Sequence, residues 1–188
     1  MYDQFGKRAI DVIAAGVALA LVSPLLMVCS MLIWLADRKS PIFKQTRIGR
    51  DQQTFTILKL RSMKVGTSDV TSTEVADLVI TPIGRFLRRT NIDELPQLIN
   101  IVRGEMSIVG PRPALRSQVE LLKIRSSGKS VYLRPGLTGL AQLRAYDGMP
   151  ESEKGAHDNE YAERVTFTHD ATIVAKTLGY LMKPPPRY

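Results

Sequence analysis

Two adjacent carboxylates, Asp93 and Glu94, are the residues of this chain best suited to do chemistry. Arginines flank the pair in sequence, with Arg88 before it and Arg112 after it. The residues that follow predict a short helix ending at Gly104, and Asp93 is a good N-cap for that helix. The pair is therefore either a cap on a salt-bridged surface or the centre of a phosphate-handling site. The helix is expected to bury an apolar face made of Leu95, Leu98, Ile99 and Val102.

A strand predicted over residues 54–63 supplies two more cations. Alternation of side chains along a strand places Lys59 and Arg61 on the same face as Phe55 and Ile57. One interpretation is an edge strand whose two cations reach water or lipid phosphate. The other is that the cations neutralise a bound phosphate or diphosphate.

Arg112 lies between two prolines, Pro111 and Pro113, after a short apolar segment at 106–109 that predicts a strand. Proline fixes its own φ and keeps the preceding residue extended, so Arg112 is held in place at a low entropy cost. Such a residue can present its guanidinium group to an anion or to a planar base. A purely structural turn is the alternative.

A basic helix is predicted just before the carboxylate pair. Thr81 is a good N-cap, and Pro82 is favourable at the first helical position. The helix that follows is amphipathic and strongly basic, which suits the interface of an anionic membrane. Arg88, near its end, is the cation expected to point toward the carboxylates.

The N-terminal part of the chain is apolar. From Val12 to Ala36 there are 25 residues without a charge, enough to cross a bilayer. Ser23 and Pro24 lie near the middle of this run, where proline removes a backbone donor and the serine hydroxyl can serve the backbone groups released. Two outcomes compete: a kinked spanning helix, or a helix-break-helix hairpin that returns to the same membrane face.

Length and charge bear on this choice. Each half of the run would form roughly 18 Å of helix, which is too short for a hydrocarbon core of about 30 Å. If positive charge marks the cytoplasmic side, both ends belong there, because both are flanked by basic residues, namely Lys7, Arg8, Arg38 and Lys39. Asp11 is expected at the headgroup level, where Arg8 can pair with it.

Composition restricts the class of protein. At 188 residues and a net charge of +8, the chain suits one domain with an anionic partner: nucleic acid, a phosphate-bearing metabolite or an anionic membrane. The single Cys29 excludes an intrachain disulfide framework. No dinucleotide fingerprint, Walker loop, nucleophile elbow or zinc pattern occurs. Helices are also predicted at 114–127, 151–163 and 170–182, a polar loop at 65–80, and a glycine-punctuated turn at 134–142.

An ordered set of short motifs runs along the chain. It comprises Lys7-Arg8 with Asp11, Ser23-Pro24, Gln45-Thr46-Arg47-Ile48-Gly49-Arg50, Lys59-Leu60-Arg61-Ser62-Met63, Asp93-Glu94-Leu95-Pro96-Gln97, Ser107-Ile108-Val109-Gly110-Pro111-Arg112-Pro113 and Arg134-Pro135-Gly136-Leu137-Thr138-Gly139. In order and spacing, this set resembles that of the bacterial sugar transferases, specifically the small monotopic phosphoglycosyl transferases that begin glycoconjugate assembly on a polyprenol carrier. Each motif alone is a weak indication, but the ordered set is specific. The similarity extends from Met1 to about Gln142 and weakens over 143–169.

The resemblance implies transfer of a phosphosugar from a UDP-sugar to polyprenol (undecaprenyl) phosphate, with release of UMP. This is the first membrane step of bacterial glycoconjugate synthesis, whether of a glycan, a capsule or an O-antigen. It implies that Asp93 is the nucleophile of a covalent phosphosugar intermediate and a ligand of the required Mg²⁺. Glu94 would assist by positioning groups or by accepting a proton from the lipid phosphate. The phosphates would be held by Lys59, Arg88 and Arg112, with Pro111-Arg112-Pro113 near the uridine.

The resemblance also implies a mixed α/β, helix-rich fold with a short sheet. Residues 1–40 would form a re-entrant membrane hairpin broken at Ser23-Pro24, and residues 41–188 a cytosolic catalytic domain with amphipathic helices on an anionic lipid interface. The protein would be monotopic, on the cytoplasmic face of the bacterial inner membrane. Sugar specificity is expected in the loops at 65–80 and 143–160. The sugar itself and the oligomeric state are not predicted.

Two rival hypotheses compete with this enzyme. A membrane-anchored nucleic-acid-binding protein would explain the basic charge, but the chain lacks an aromatic stacking set and a recognition helix. No nucleic-acid partner is therefore expected. A structural membrane anchor would leave both the Asp93-Glu94 pair and the proline-bracketed Arg112 unexplained.

Overall fold

The structure is a computed structural model and describes residues 2–63, 80–146 and 148–181. Of the polar loop predicted at 65–80, only Ile80 lies within these residues. Of the helix predicted at 170–182, the last residue lies outside them. The described ranges contain α1 (Lys7–Asp37), β1 (Ile42–Ile48), β2 (Thr54–Leu60), α2 (Pro82–Arg89), α3 (Gln97–Arg103), β3 (Ser107–Val109), α4 (Val119–Ser126), β4 (Gly136–Thr138), α5 (Leu140–Arg144), α6 (Glu151–Glu163) and α7 (Phe167–Leu181).

The strands form two small sheets. β1 and β2 are an antiparallel hairpin in which Ile42 lies opposite Leu60 and Ile48 opposite Thr54. β3 and β4 are parallel, with Ser107 opposite Gly136. The predicted mixed α/β, helix-rich fold is thus confirmed, with two short sheets where one was predicted. β2 ends three residues before the predicted Met63, because its partner strand begins only at Ile42.

α1 continues through Pro24 without dividing into two helices, so the predicted helix-break-helix is not seen as an interruption. Proline at position 24 leaves the carbonyl of Ala20 without its helical donor. The hydroxyl of Ser23 donates to that carbonyl at 2.9 Å, which confirms the predicted role of the serine. Within the described residues, α1 is the one helix long and apolar enough to cross a membrane, judged by length and composition.

Polar contacts attach the start of α1 to the rest of the protein. The guanidinium of Arg8 donates to the carbonyls of Ile101 at 2.7 Å and Val102 at 3.0 Å, at the end of α3. Asp11 accepts from the hydroxyl of Ser107 at 2.7 Å and from the backbone N–H of Ile108 at 3.1 Å. The predicted pairing of Asp11 with Arg8 is therefore wrong. Asp11 is buried against β3, where donors from that strand satisfy its carboxylate.

Apolar contacts continue along the whole length of α1. Ala15 packs in a cluster with Ile57 of β2 and Ile101 of α3. About five turns later, Ile33 packs against Leu60 of β2 and Leu87 of α2. The opposite face of α1 remains apolar and exposed, and it includes Ile13, Val17, Leu21, Leu25, Val28 and Leu32.

Local signals predicted several helix boundaries correctly. Thr81 caps α2 by accepting from the backbone N–H of Gly84 at 3.0 Å, and Gly104 ends α3 with a φ of 91°. α6 spans the predicted residues 151–163. α4 begins at Val119 rather than 114, because the carbonyl of Ala114 pairs instead with the N–H of Ile48 at 2.9 Å.

Candidate active site

Glu94 lies at the centre of the site and joins two distant parts of the chain. Its Oε1 accepts from Nζ of Lys59 at 2.7 Å and from Nη2 of Arg112 at 3.0 Å. Lys59 comes from the end of β2, and Arg112 from the loop after β3. Burial alone would raise the pKa of Glu94, but Arg112 and Lys59 outweigh it and lower that pKa to about 2. Glu94 is therefore ionised and paired with two cations at neutral pH.

Asp93 occupies a different environment although it is the neighbouring residue. It lies in a short 3₁₀ turn, Ile92–Glu94, which opens at Asn91 with a φ of 53°. α3 begins only at Gln97, and Pro96 stands at its N-cap position with no side-chain cap. The predicted capping role of Asp93 is therefore wrong. Its carboxylate is instead buried in the site, with 8% of the residue exposed.

Burial also sets the acidity of Asp93. A carboxylate that capped a helix N-terminus would have a lowered pKa. Instead, desolvation and then the negative charge of Glu94 raise the pKa of Asp93 to about 6, while Lys59 and Arg88 act in the opposite direction. At neutral pH this carboxylate is still mostly ionised, yet it is more basic than an exposed aspartate. Raised basicity favours a carboxylate that must attack as a nucleophile.

Two cations of the predicted phosphate-binding set stand beside Asp93. Burial lowers the pKa of Lys59, and its pairing with Glu94 only partly compensates. Arg88 donates through Nε to the hydroxyl of Ser62 at 3.0 Å, which orients its guanidinium. α2 can approach Ser62 this closely because Gly84 has no side chain: a Cβ there would lie 1.9 Å from the Ser62 carbonyl oxygen.

The loop that carries Arg112 is anchored on both sides. Pro111 and Pro113 are buried, whereas about half of the Arg112 side chain is exposed, at 52%. The carbonyl of Pro111 accepts from the N–H of Gly136 at 2.8 Å. The carbonyl of Pro113 accepts from Nη1 of Arg47 at 3.3 Å. The structure thus holds the proline-bracketed loop rigid while leaving its arginine accessible to a ligand.

The glycine-punctuated turn at 134–142 packs against the loop that carries Arg112. A Cβ on Gly136 would lie 2.1 Å from the backbone nitrogen of Gly110, so the two segments approach backbone to backbone. The N–H of Gly136 is donated to the carbonyl of Pro111. Gly136 is therefore a packing residue, and the turn supports the Arg112 loop from behind.

Asn100 is a positioning residue that the apolar pattern missed. Its Oδ1 accepts from the N–H of Leu58 at 3.1 Å, and its Nδ2 donates to the carbonyl of Thr56 at 2.8 Å. The amide thus pairs with the free edge of β2 and docks α3 on the strand that carries Lys59. The predicted apolar face is only partly confirmed: Leu98 is buried, but Leu95 and Ile99 are half-buried and Val102 is exposed. The buried residues of α3 are Gln97, Leu98, Asn100 and Ile101. A polar residue between apolar positions of a short helix is the signal that could have indicated it.

The donor set permits one mode of magnesium binding. Within residues 2–63, 80–146 and 148–181, no three His, Cys, Asp or Glu side chains come together as a metal-binding group. Glu94 is already committed to two cations, which leaves Asp93 as the available carboxylate. Mg²⁺ commonly binds one or two carboxylates together with substrate phosphates, and a single aspartate fits that arrangement.

Comparison with known proteins identifies the family. Residues 2–184 match the family model described as bacterial sugar transferase. The chain belongs to that family. The two carboxylates and three cations of this sugar transferase, at residues 59–112, all lie within the matched range.

Named relatives indicate the range of the family. A UDP-glucose:undecaprenyl-phosphate glucose-1-phosphate transferase of Caulobacter vibrioides is 38% identical over 94% of this chain and 69% of its own length. The exopolysaccharide production protein ExoY of Rhizobium meliloti is 37% identical over 92% and 83%. A UDP-N-acetylgalactosamine-undecaprenyl-phosphate N-acetylgalactosaminephosphotransferase of Aeromonas hydrophila is 35% identical over 95% and 44%. Relatives named for different sugars are thus about equally similar, so similarity does not select the sugar.

Ionised Asp93 should lower the free energy of unfolding, whereas ionised Glu94 should raise it. The pKa of Asp93 is about 6 in the folded protein against 3.8 for an unperturbed aspartate. The folded state therefore binds the proton more tightly, and stability is lost as the pH rises from 3.8 through 6. At pH 8 the difference amounts to about 3 kcal/mol, since one pKa unit corresponds to about 1.4 kcal/mol. Asp93→Asn should raise the free energy of unfolding at pH 8, and the gain should shrink toward pH 4.

Glu94→Gln is the matched control. The folded pKa of Glu94 lies below its ordinary value, so its stabilisation is present above pH 4.5 and is lost as the pH falls toward 2. This variant should be less stable than wild type at pH 8, because Lys59 loses its buried partner. Urea unfolding of the detergent-solubilised variants between pH 4 and pH 8 measures both effects. Equal destabilisation by the two substitutions would contradict the assignment of distinct environments.

Proposed function

We propose that this protein transfers a phosphosugar from a UDP-sugar to polyprenol phosphate and releases UMP. The observation that carries the proposal is the buried carboxylate of Asp93 beside Lys59 and Arg88, with Arg112 on the neighbouring Glu94. Relatives named as UDP-sugar:undecaprenyl-phosphate sugar-phosphate transferases support the two substrates. Bacterial polysaccharide synthesis is the corresponding process, since other relatives are named for exopolysaccharide production.

The proposed reaction has two steps. In the first, a carboxylate oxygen of Asp93 attacks the β-phosphorus of the UDP-sugar, and the bond between that phosphorus and the UMP oxygen breaks. In the second, a phosphate oxygen of polyprenol phosphate attacks the same phosphorus, and Asp93 leaves as a free carboxylate. Nucleophilic catalysis of this kind lets a soluble donor and a lipid acceptor use one site in turn.

The carboxylate of Asp93 and the donor diphosphate are both anions and repel each other, so cations must offset this repulsion during the attack. Arg112 is exposed enough to contact the donor diphosphate, and Lys59 and Arg88 lie on the Asp93 side of the site. Fixed cations of this kind neutralise charge as it develops on the transferring phosphoryl group. Mg²⁺, bound by Asp93 and the donor phosphates, would supply additional Lewis-acid polarisation.

Glu94 acts as a positioning residue in this proposal. One of its oxygens holds both Lys59 and Arg112, and the pKa of about 2 makes it a poor acceptor for a proton from a lipid phosphate. Its carboxylate therefore serves to align the two cations that receive the donor. Asp93 is the carboxylate left for bond formation.

We propose that α1 does not span the membrane and that both of its ends lie on one face, so that the protein is monotopic. Arg8 near its start and Ile33 near its end both contact the same globular part. These residues are about 38 Å apart along an ideal helix, which exceeds the hydrocarbon thickness of about 30 Å. If α1 spanned the membrane, polar residues of the globular part that contacts both of its ends would have to enter the lipid. The catalytic domain, residues 41–188, would lie on the cytoplasmic face of the inner membrane, with residues 1–40 as its re-entrant anchor.

Detergent-solubilised protein incubated with Mg²⁺, polyprenol phosphate and a panel of UDP-sugars should release UMP with at least one donor. Asp93→Asn should reduce the rate by at least about 10³-fold and abolish the phosphosugar adduct detected by intact-protein mass spectrometry. Asp51→Asn, at an exposed aspartate, is the matched control and should retain activity. The wild-type rate should rise with pH through about 6, where Asp93 ionises. Substantial turnover by Asp93→Asn would exclude the nucleophile role.

The role of Glu94 can be tested by separating the two half-reactions. Glu94→Gln should raise the KM for UDP-sugar and slow UMP release even without a lipid acceptor, because Lys59 and Arg112 lose their common partner. A general base for the lipid phosphate would act only in the second half-reaction. Normal acceptor-independent UMP release by Glu94→Gln would therefore contradict the positioning role.

The membrane path of α1 can be tested with single-cysteine probes in a Cys29→Ser background, since Cys29 is the only cysteine. Phe5→Cys and Lys39→Cys place exposed thiols before and after α1. Ser126→Cys marks the side of the catalytic domain. In right-side-out vesicles all three should resist an impermeant maleimide, and in inverted vesicles all three should react. Labelling of Phe5→Cys and Lys39→Cys from opposite sides would establish a spanning helix.

A further inference from the structure

An apolar groove runs between α1 and the elements that carry the active site. Its volume is about 370 Å³, which lies within the range of 300–1,000 Å³ typical of ligand sites. One wall is the middle of α1, around Met27 and Ser30, and the other is formed by Leu60, Pro96 and Ile99. The groove plays no part in the chemistry derived above.

The position of the groove connects lipid with the catalytic residues. Ile92, the residue before Asp93, packs against the apolar cluster that contains Leu60, and Pro96 comes two residues after Glu94. On the other wall, Met27 is 65% exposed and continues into the apolar face of α1 that is turned away from the protein. A ligand lying in the groove would thus have one end near the site cations and the other in the hydrocarbon of the membrane.

The lining indicates an apolar occupant. None of the described residues that line the groove is charged. Ser23, which also borders it, already donates its hydroxyl to the carbonyl of Ala20 at 2.9 Å. A sugar or a nucleotide in this groove would lose hydrogen bonds to water and gain few from the protein. A hydrocarbon chain meets no such penalty and gains from burial.

We propose that this groove binds the first isoprenoid units of the lipid acceptor and thereby directs the attached phosphate toward Asp93. The inference rests on the proposed function, because that function supplies an acceptor with an apolar tail and a single terminal phosphate. The groove matches both parts: its walls suit the tail, and the neighbouring Lys59 suits the phosphate. The groove would thus recognise the part of the acceptor's isoprenoid chain next to its phosphate, in addition to the general attachment of the protein to the membrane.

Two methionines on α1 provide a matched pair for the test. Met27 lines the groove, whereas Met31, one turn later and 56% exposed, does not. Met27→Trp fills the groove from the α1 side, and Ile99→Trp fills it from the other wall. Met31→Trp adds the same bulk on lipid-exposed surface. Farnesyl phosphate, a short acceptor with a small membrane affinity, serves as the probe in detergent.

Filling the groove should raise the KM for farnesyl phosphate at least tenfold in Met27→Trp and Ile99→Trp. The ratio of acceptor-dependent to acceptor-independent UMP release should fall correspondingly, whereas Met31→Trp should behave like wild type. The acceptor-independent UMP release also shows that each variant is folded. Unchanged kinetics in both groove variants, or an equal defect in Met31→Trp, would overturn the proposal.

The wild-type protein separates this inference from the proposed function. If wild type releases no UMP with any donor, the proposed function fails. Whether the groove binds an isoprenoid chain is then decided by the dissociation constant of farnesyl phosphate, measured by competition with a fluorescent polyprenyl phosphate analogue. Binding at least tenfold weaker in Met27→Trp than in Met31→Trp supports the groove as an isoprenoid site, and equal binding overturns it.

Discussion

The site depends on two neighbouring carboxylates that cannot share one environment. Two buried anions in sequence repel each other, and each raises the pKa of the other unless cations intervene. Here the cations are divided unequally: Lys59 and Arg112 both pair with Glu94. Asp93 is left desolvated and more basic than usual. An ionised but poorly neutralised carboxylate is an unstable element of a fold, and such elements are typical of catalytic sites.

Strand β2 connects this chemistry with the long apolar helix α1. Its apolar residues Ile57 and Leu60 pack against the first and second halves of that helix, and Lys59 between them contacts Glu94. Asn100 attaches α3 to the edge of the same strand. The distance between the membrane helix and the carboxylates is therefore set by one short strand.

Signals that act within a few residues predicted their structures well. Thr81 caps its helix and Gly104 ends another, because capping and a left-handed φ depend on adjacent backbone groups. The hydroxyl of Ser23 serves the carbonyl that Pro24 leaves free, again a local matter. Predictions of partners were less successful. Asp11 pairs with Ser107, 96 residues away, and not with Arg8 in its own helix turn. No local pattern specifies such a contact.

The amino-acid sequence by itself determined which residues carry charge near the site, where the apolar helix lies, and how the prolines stiffen the loop of Arg112. It also placed the chain among the bacterial sugar transferases, because ordered motifs survive in sequence. Two features follow from tertiary packing alone: Asp93 is buried and does not cap α3, and Glu94 accepts from both Lys59 and Arg112. The reason is physical: a pKa depends on burial and on charges within a few ångströms, and Lys59 and Arg112 reach Glu94 from 35 and 18 residues away along the chain.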